Sequence, residues 1–446
     1  MIRVTIPLGI ILMLLITLPA SAQTQMPSAP LTLERAIEIA LDNKVDVEIA
    51  KERQHIAAAE KSSAWNNYLP SISANASGSR TRQGEGERFF NGVKFQADAS
   101  TNEYFETGVS VNQTIYAGGA IRNSNKLADI GLDQSEVQYE STREEVILNV
   151  TSAYLDLLRA HELIKVYSKT LESSQAQVGF VRERYNLGAV AKNDVLKAET
   201  RAGSDKINLL QQENQFEQRK RRLNLSMGRS PMAQIALPEF SYNTPTYPAL
   251  DQAKTAAMQN NKTLRDLELN IRQSQLSLNL AQANFLPDLN GFFSYDRNGY
   301  RPKDLYNDLN KNWSYTIGLR MSIPIYNSNG GSMKTRPLIQ RRKAELSIAQ
   351  KNYTDAKLQV EMQVENLIQQ LDTYEEIIEL NELNLQSAEE DLRLAREQYN
   401  VGQATLLDVL DAQANLTNAR RVLVYTKFDA KTVEAELNRV MGTIEG

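Results

Sequence analysis

The chain carries a long internal repeat, and this feature restricts its fold more than any other. The segment "YNLGAVAKNDVLKAE" at residues 185–199 returns 214 positions later as "YNVGQATLLDVLDAQ" at residues 399–413. An ungapped alignment of residues 182–228 with 396–442 holds 14 identities in 47 positions. Duplication on this scale predicts two copies of one structural unit.

Upstream segments place the boundaries of the two copies. "NNYLPSI" matches "ANFLPDL", and "VNQTIYAGG" matches "MSIPIYNSNGG", in the same order in each half. Residues 229–248 contain four prolines and are typical of a linker. We therefore expect a first repeat over 23–228, this linker, and a second repeat over 249–446.

The N-terminus has the pattern of a secretory signal peptide at residues 1–22. Arg3 precedes an apolar run from Val4 to Leu18, and Ala20-Ser21-Ala22 follows as a cleavage site. The apolar run is shorter than the roughly 20 residues that a spanning helix needs. We predict cleavage after Ala22 and export of the chain. No later segment is apolar enough to span a membrane as a helix, so any membrane contact is expected from β-strands.

Composition argues against several classes of function. The sequence has no cysteine, two histidines and a net charge of −4. These values disfavour thiolate metal sites, disulfides and binding to nucleic acid. No nucleophile–base pair or metal-ligand cluster is present, so we expect neither an enzyme nor a bound cofactor.

Each repeat predicts the same order of elements. A helix of about 36 residues, at 33–68 or 250–285, ends near Pro70 or Pro287. Two strands follow, and a glycine pair then opens a helix of about 67 residues, or about 100 Å. A turn at Gly188 or Gly402 leads into a returning helix of about 38 residues. The two shorter helices, stacked end to end, would match the long helix and give a wall of uniform height.

The long helices repeat apolar residues every seven positions. In the first copy the series is Val150, Leu157, Ile164, Leu171, Val178 and Tyr185, and in the second it is Val364, Leu371, Ile378, Leu385, Leu392 and Tyr399. The returning helices show the same period. A strict seven-residue period indicates coiled-coil packing, so each long helix and its returning partner are expected to form an antiparallel hairpin.

The strand segments alternate apolar and polar residues over 10–13 positions, which is typical of outer-membrane strands. We expect the lipid-facing residues to be Val109, Val111, Phe293, Tyr295, Trp313, Tyr315, Ile317, Leu319 and Met321. The polar segments 80–104 and 297–312 are predicted to be the outer loops. A soluble sandwich with one packed face would show the same alternation, but export and the lack of other core-forming segments favour the membrane.

Four strands per chain cannot close a barrel, because about eight are needed. Open strand edges are not viable in lipid. The residues alone therefore leave two assemblies open: eight strands from a dimer or twelve from a trimer.

The chain resembles the TolC-type outer-membrane efflux protein family over nearly its whole mature length. The resemblance rests on the duplicated "YN-x-G…DVL-x-A", the "YLP" and "FLP" breaks and the "IYAGG" strand end. It implies a mainly α fold with a small β-barrel portion, in which long-helix hairpins form a trimeric α-barrel below a 12-stranded outer-membrane β-barrel, four strands per chain. The family acts as the exit duct of tripartite efflux or type I secretion systems in Gram-negative bacteria, with its helices in the periplasm, and docks periplasmic adaptor proteins and inner-membrane pumps.

The resemblance also assigns roles to the repeated segment. The turns at the periplasmic tip, which would contact the adaptor, are Asn186, Leu187, Gly188, Asn400, Val401 and Gly402. The entrance and gate residues are Tyr185, Asp194, Tyr399, Asp408 and Asp411, with the two carboxylates of the second copy expected to form acidic rings in a trimer. A helix start that favours acids is the alternative explanation of these aspartates. Seam packing is an equal alternative for the tyrosines.

One family feature is missing from this sequence. Some members link the two tips through an arginine two residues after the second tip glycine, and this chain has Ala404 there. The competing hypothesis for the whole chain is a periplasmic coiled-coil adaptor or structural protein without a channel.

Overall fold

The computed structural model describes residues 30–239, 241–324 and 331–444, so the predicted signal peptide at 1–22 lies outside it. The elements in chain order are α1 Leu33–Asn43, α2 Val45–Ala64, β1 Ser71–Gln83, β2 Gly86–Phe90, β3 Val93–Ala97, β4 Ser100–Ala117, α3 Ala120–Asn186, α4 Lys192–Ser226, α5 Leu250–Asn260, α6 Lys262–Ala283, β5 Asp288–Gly299, β6 Trp313–Ser322, α7 Gly331–Asn400 and α8 Leu406–Val440. Single turns of 3₁₀-helix occur at Trp65–Tyr68 and Pro302–Leu305.

The helices α3 and α7 set the length of the molecule. They contain 67 and 70 residues, which corresponds to about 100 Å each. Gly118 and Gly119 turn strand β4 into α3 with φ values of 60° and 83°. A Cβ atom on Gly118 would lie 2.6 Å from the carbonyl oxygen of Ala283, so glycine is required there both by conformation and by space. The matching Gly330 lies outside the described residues.

Each long helix is lined by shorter helices placed end to end. Along α3, helix α2 lies on the part next to the sheet, where Lys61 pairs with Asp129 at 3.0 Å. Helix α4 runs back from the tip along the other part. The end of α4 meets the junction of α1 and α2, where Gly228 approaches Asn43. Helices α5, α6 and α8 repeat this arrangement along α7.

The prediction of one continuous helix over 33–68 and another over 250–285 was wrong, because each range contains two helices. The breaks lie at Lys44 and Asn261, whose ψ values of 119° and 120° are extended. Asn261 caps α6 by accepting a hydrogen bond from the Leu264 amide, and its side-chain amide donates to the Val440 carbonyl at 3.0 Å. Each break lies where a returning helix ends, and at Asn261 the break supplies a partner for one of the last carbonyl groups of α8.

The four long strands form one antiparallel sheet in the order β1-β4-β5-β6. Strands β4 and β5 pair along their length and join the two repeats at the centre of the sheet. The prediction that 80–104 is all loop was wrong, because β1 extends to Gln83 and β4 begins at Ser100. Between them β2 and β3 form a hairpin. Its turn contains Asn91 and Gly92, both with positive φ, and Asn-Gly is the strongest short sequence signal for such a turn.

The apolar core follows the seven-residue series on the long helices. Val150, Leu157, Val364 and Leu371 are fully or almost fully buried. They belong to two clusters, one at the middle of each long helix, where the ends of the shorter helices converge. A third cluster lies near the tips and is described below.

Candidate functional site

The two tips are tight turns of the same backbone form. After α3, the amide of Gly188 donates to the Tyr185 carbonyl and the amide of Ala189 donates to the Arg184 carbonyl, both at 2.8 Å. The second tip repeats these bonds around Gly402. This pair of bonds is the Schellman motif, in which glycine takes up the left-handed conformation; φ is 73° at Gly188 and 79° at Gly402.

The predicted adaptor-contact residues all lie at the outer surface of these turns. Leu187 is 84% exposed and Val401 is 71% exposed, while Asn186 and Asn400 are also exposed. Two exposed aliphatic side chains at the very end of the molecule are not needed for packing within the chain. They are suited to contact with another protein.

The aspartate that begins α8 has a structural role of its own. The Asp408 carboxylate accepts hydrogen bonds from the amide and the hydroxyl of Thr405, each at 2.7 Å, and the Asp408 amide donates to the Thr405 hydroxyl at 3.4 Å. This reciprocal arrangement is a capping box. The bonds from Thr405 lower the pKa of Asp408 below its ordinary value. The Thr-x-x-Asp spacing in the sequence was a readable signal for this cap.

The other two predicted acidic residues have different surroundings. Asp194 lies 3.9 Å from the ammonium group of Lys197, one turn along α4. Asp411 is exposed on α8 and, among the described residues, has no hydrogen-bond or ion-pair partner. The structure brings Asp408 and Asp411 to the same helix end. Their arrangement in rings requires further chains and stays a prediction.

The two repeated tyrosines differ in burial. Tyr399 is 7% exposed and packs in the apolar cluster at the tips, and burial raises its pKa. Tyr185 is 41% exposed. Within the chain, Tyr399 therefore packs in the seam, which is one of the two roles considered for these tyrosines. Tyr185 lies at the surface.

Arg184, which was not among the predicted site residues, connects the two tips. Arg184 donates a hydrogen bond to the Tyr399 carbonyl at 3.2 Å, and its guanidinium carbon lies 5.2 Å from the centre of the Tyr399 ring. The guanidinium also lies over Phe180, at 5.7 Å. Ala404, at the position of the family's linking arginine, is packed against the apolar cluster instead. The contact from α3 to α7 is thus made by a residue of the first repeat, where the second repeat has Gln398.

The tips are also joined by apolar packing. The cluster is built from all four hairpin helices, with Val181 on α3, Val195 on α4, Leu392 on α7 and Val409 on α8. Hydrophobic contact of this kind holds the two hairpins together near their ends within one chain.

Removal of the cap gives a first testable expectation. Thr405→Ala should destabilise the protein at pH 7 by about 1 kcal/mol, as is usual for loss of an N-cap threonine. Because the cap lowers the pKa of Asp408 in the folded state, its contribution is fully present above the unfolded-state pKa and is lost as the pH falls through the folded-state pKa. Thermal unfolding in one detergent at pH 7 and at pH 3 should therefore show a difference between variant and wild type that shrinks in acid. Thr405→Ser, which keeps the hydroxyl, is the control, and a difference that persists or grows in acid would contradict this expectation.

At the opposite end of the molecule, the predicted lipid-facing residues share one face of the sheet. The register places Val109 beside Tyr295 and Tyr295 beside Tyr315, and the next row joins Val111, Phe293 and Ile317. Leu319 and Met321 continue the face along β6, and Trp313 stacks on Tyr295 and Tyr315 at 6.3 and 6.1 Å. The side chains on β6 are exposed throughout this face.

The opposite face of the sheet is polar. Ser73, Ser110, Ser294 and Thr316 form one row across all four strands, and the hydroxyl oxygens of Ser73 and Ser110 lie 2.8 Å apart. A sheet with one apolar and one polar face separates two different environments.

Within the part of the chain that the structure describes, no helix combines the length and the apolar character needed to cross a membrane. Over residues 30–239, 241–324 and 331–444, no group of three or more His, Asp or Glu side chains is placed to hold a metal ion.

Comparison with known proteins agrees with these features. The model of a family described as "Outer membrane efflux protein" matches residues 36–229 and 255–443. Nodulation protein T of Rhizobium leguminosarum bv. trifolii is 23% identical over 411 residues, which cover 91% of this chain and 84% of that protein. The probable efflux pump outer membrane protein TtgC of Pseudomonas putida is 22% identical over 417 residues, which cover 92% and 82%.

A solved structure shows the same fold. The Campylobacter jejuni CmeC outer membrane channel superposes with a TM-score of 0.76 at 19% identity, covering 92% of this chain and 85% of that one. The family match takes in both repeats and most of the chain. This chain is therefore a member of the outer membrane efflux protein family.

Proposed function

We propose that three copies of this chain form the outer-membrane exit duct of an efflux or type I secretion system. One observation carries the proposal: a single chain has an exposed apolar sheet face at one end and, about 100 Å away along α3, two hairpin tips, the second of which has the exposed carboxylates of Asp408 and Asp411. An elongated molecule with a lipid-compatible end and a polar, charged end suits a duct across two compartments.

The sheet supports assembly into a trimer. Within the described residues, β1 and β6 are each paired on one side only, so the strand edges must be covered by other chains before the sheet can lie in lipid. Three chains supply twelve strands and leave a pore, whereas eight strands would be filled by side chains. The two repeats, which we propose span 23–228 and 249–446 around the linker 229–248, would then give the helical wall near-sixfold symmetry.

The apolar sheet and the hairpin tips, at opposite ends of the molecule, also suggest its location and its partners. The signal peptide directs the chain through the inner membrane, the sheet inserts in the outer membrane of a Gram-negative cell, and the helices lie in the periplasm. The exposed tip residues meet a periplasmic adaptor and, through it, an inner-membrane pump. The family match and the similarity to an efflux pump outer membrane protein support this role, which is transport without catalysis.

Bilayer recording tests the duct directly. The full chain, purified in detergent, is expected to be a trimer that adds discrete conductance steps to a planar bilayer. A protein that is soluble without detergent, or one that is silent in bilayers as a monomer, would favour the periplasmic coiled-coil adaptor over the channel.

The entrance carboxylates allow a sharper test. If Asp408 and Asp411 surround the mouth, a trivalent cation added on the tip side should block the current. The double substitution Asp408→Asn and Asp411→Asn should weaken this block by about tenfold or more, because six charges per trimer are removed. The matched control changes Asp42 and Asp251, exposed residues of α1 and α5 far from the tips, to asparagine. Equal loss of block in both double variants would rule out an entrance ring at Asp408 and Asp411.

A further inference from the structure

A cavity of about 530 Å³ lies between the two hairpins, just above the tips. Helix α3 contributes Lys169, Ser173 and Gln177 to its lining, α7 contributes Arg396 and Tyr399, and α8 contributes Gln413. Its volume falls in the range of small-molecule sites. Tyr399 and Asn400, which are also predicted to act at the gate and the tip, line it, and its other lining residues have no part in the features of the duct described above.

Arg396 is the central basic group of the cavity, and its charge is not balanced. Its guanidinium donates to the hydroxyl of Ser173 and to the side-chain carbonyl of Gln413, the latter at 3.1 Å. Ser173 in turn donates to the same carbonyl of Gln413 at 2.8 Å. Among the described residues no carboxylate lies within 4.0 Å of this guanidinium, and burial lowers its pKa.

The first repeat shows which group is missing. Arg182 and Glu199 occupy the positions equivalent to Arg396 and Gln413, and they form an ion pair at 2.5 Å. In the second repeat an amide of the same size replaces the carboxylate. Arg396 therefore has no carboxylate at the position that pairs with its equivalent in the first repeat. A half-buried guanidinium without an anion is unfavourable, because its charge is partly removed from water.

Other donors in the cavity are also unpaired. The side-chain nitrogen of Gln177 and the hydroxyl of Tyr399 are buried without a hydrogen-bond partner. Lys169 has no ion-pair partner among the described residues. The lining contains a third basic residue, Arg420, which is paired with Glu389 at 2.7 Å, and one acid, Glu172. Donors thus outnumber acceptors around an unbalanced positive charge.

We propose that this cavity binds an oxyanion, the carboxylate or phosphate group of a small solute, with Arg396 as its main ligand. Guanidinium groups bind such oxygens through paired hydrogen bonds, and the unpaired donors of Gln177 and Tyr399 add neutral bonds. Because the lining comes from α3 on one side and from α7 and α8 on the other, the bound anion links the two hairpins next to the tips. This site does not depend on the proposed transport function.

Gln413→Glu tests the proposal by restoring the carboxylate that the first repeat has. Binding of succinate and of inorganic phosphate to the detergent-purified full chain would be measured by calorimetry at constant ionic strength set with sodium chloride. Wild type is expected to bind at least one of the two, and the variant to bind it about tenfold more weakly or worse, as expected for loss of a charge-assisted hydrogen bond. Binding of one anion and not the other identifies which oxyanion the site prefers.

Two further variants keep the result interpretable. Gln211→Glu makes the same charge change on an exposed position of α4 and should leave binding unchanged, while Arg396→Gln should abolish it. Gln413→Glu should also raise the unfolding temperature in chloride, because it pairs Arg396 internally. Two results would overturn the proposal. One is that wild type binds neither anion, which is also the result expected if a carboxylate of a neighbouring chain fills the cavity. The other is that Gln413→Glu and Gln211→Glu bind the anion equally well.

Discussion

Gly442→Ala is expected to destabilise the protein much more than Gly402→Ala, although both glycines end a helix in the same way. Each takes a positive φ, of 66° and 79° respectively. Each also sits in a Schellman motif: the amide of Gly442 donates to the Arg439 carbonyl at 3.0 Å, and that of Gly402 donates to the Tyr399 carbonyl at 3.2 Å. The conformational penalty of alanine in the left-handed region, about 1–2 kcal/mol, is therefore shared by the two positions.

The positions differ in what surrounds them. A Cβ atom on Gly442 would lie 2.6 Å from the carbonyl oxygen of Asn260, whereas nothing lies within 4 Å of a Cβ atom on Gly402. Asn260 is the last residue of α5, so the added methyl group would push the end of α8 away from the α5–α6 junction. Overpacking of this kind adds about 1–3 kcal/mol. Gly228, against Asn43 at 2.7 Å, occupies the equivalent place in the first repeat and should respond as Gly442 does.

Thermal unfolding in a single detergent, followed by circular dichroism, measures the difference. We expect Gly402→Ala to lower the unfolding midpoint temperature least. Gly228→Ala and Gly442→Ala should lower it more, and by similar amounts. Asparagine sharpens the comparison, since it tolerates positive φ: Gly402→Asn should recover most of the loss, and Gly442→Asn should not. Equal destabilisation at Gly402 and Gly442 would show that the helix-end contacts contribute nothing to stability.

These glycines illustrate what the sequence could and could not predict. The duplication and the seven-residue series predicted the long helices and the hairpins correctly. The breaks at Lys44 and Asn261 were missed. They coincide with helix ends that are distant in the sequence, as in the hydrogen bond from Asn261 to Val440, nearly 180 residues away. The helix propensities of neighbouring residues cannot predict a contact between residues so far apart in the sequence. The 3.5-residue period of a coiled coil, in contrast, is visible within a short stretch of sequence.

The tips show the same limit at the level of single residues. Tyr185 and Tyr399 occupy the same position of the repeated motif, yet Tyr185 is exposed and Tyr399 is buried. The difference arises because Phe180 and Arg184 of the first hairpin pack on the ring of Tyr399. Arg184 and Arg396 were overlooked for the same reason, since their partners Tyr399 and Ser173 belong to the other repeat. The cap of Asp408 was readable, because Thr405 is only three residues away.

Ile317→Lys is expected to prevent stable insertion in the outer membrane, whereas Thr316→Lys is expected to be tolerated. The two residues are neighbours in β6, but they project to opposite faces of the sheet. Ile317 lies in the apolar row with Phe293 and Val111, near the middle of the strand, and Thr316 lies in the polar row with Ser294. A lysine on the lipid face near the bilayer midplane costs about 2–4 kcal/mol per chain, and in a trimer this penalty is incurred three times.

The pair also separates membrane insertion from ordinary packing. Ile317 is 73% exposed in the single chain, so lysine there would remove little contact within the chain itself. Any large effect must come from what covers the apolar face in the cell. Membrane fractionation after expression, followed by a test for a trimer that resists unheated detergent, should find the Thr316→Lys protein inserted and the Ile317→Lys protein absent from the outer membrane. Normal insertion of both variants would mean that lipid does not contact this face, and the proposed orientation of the sheet would then be wrong.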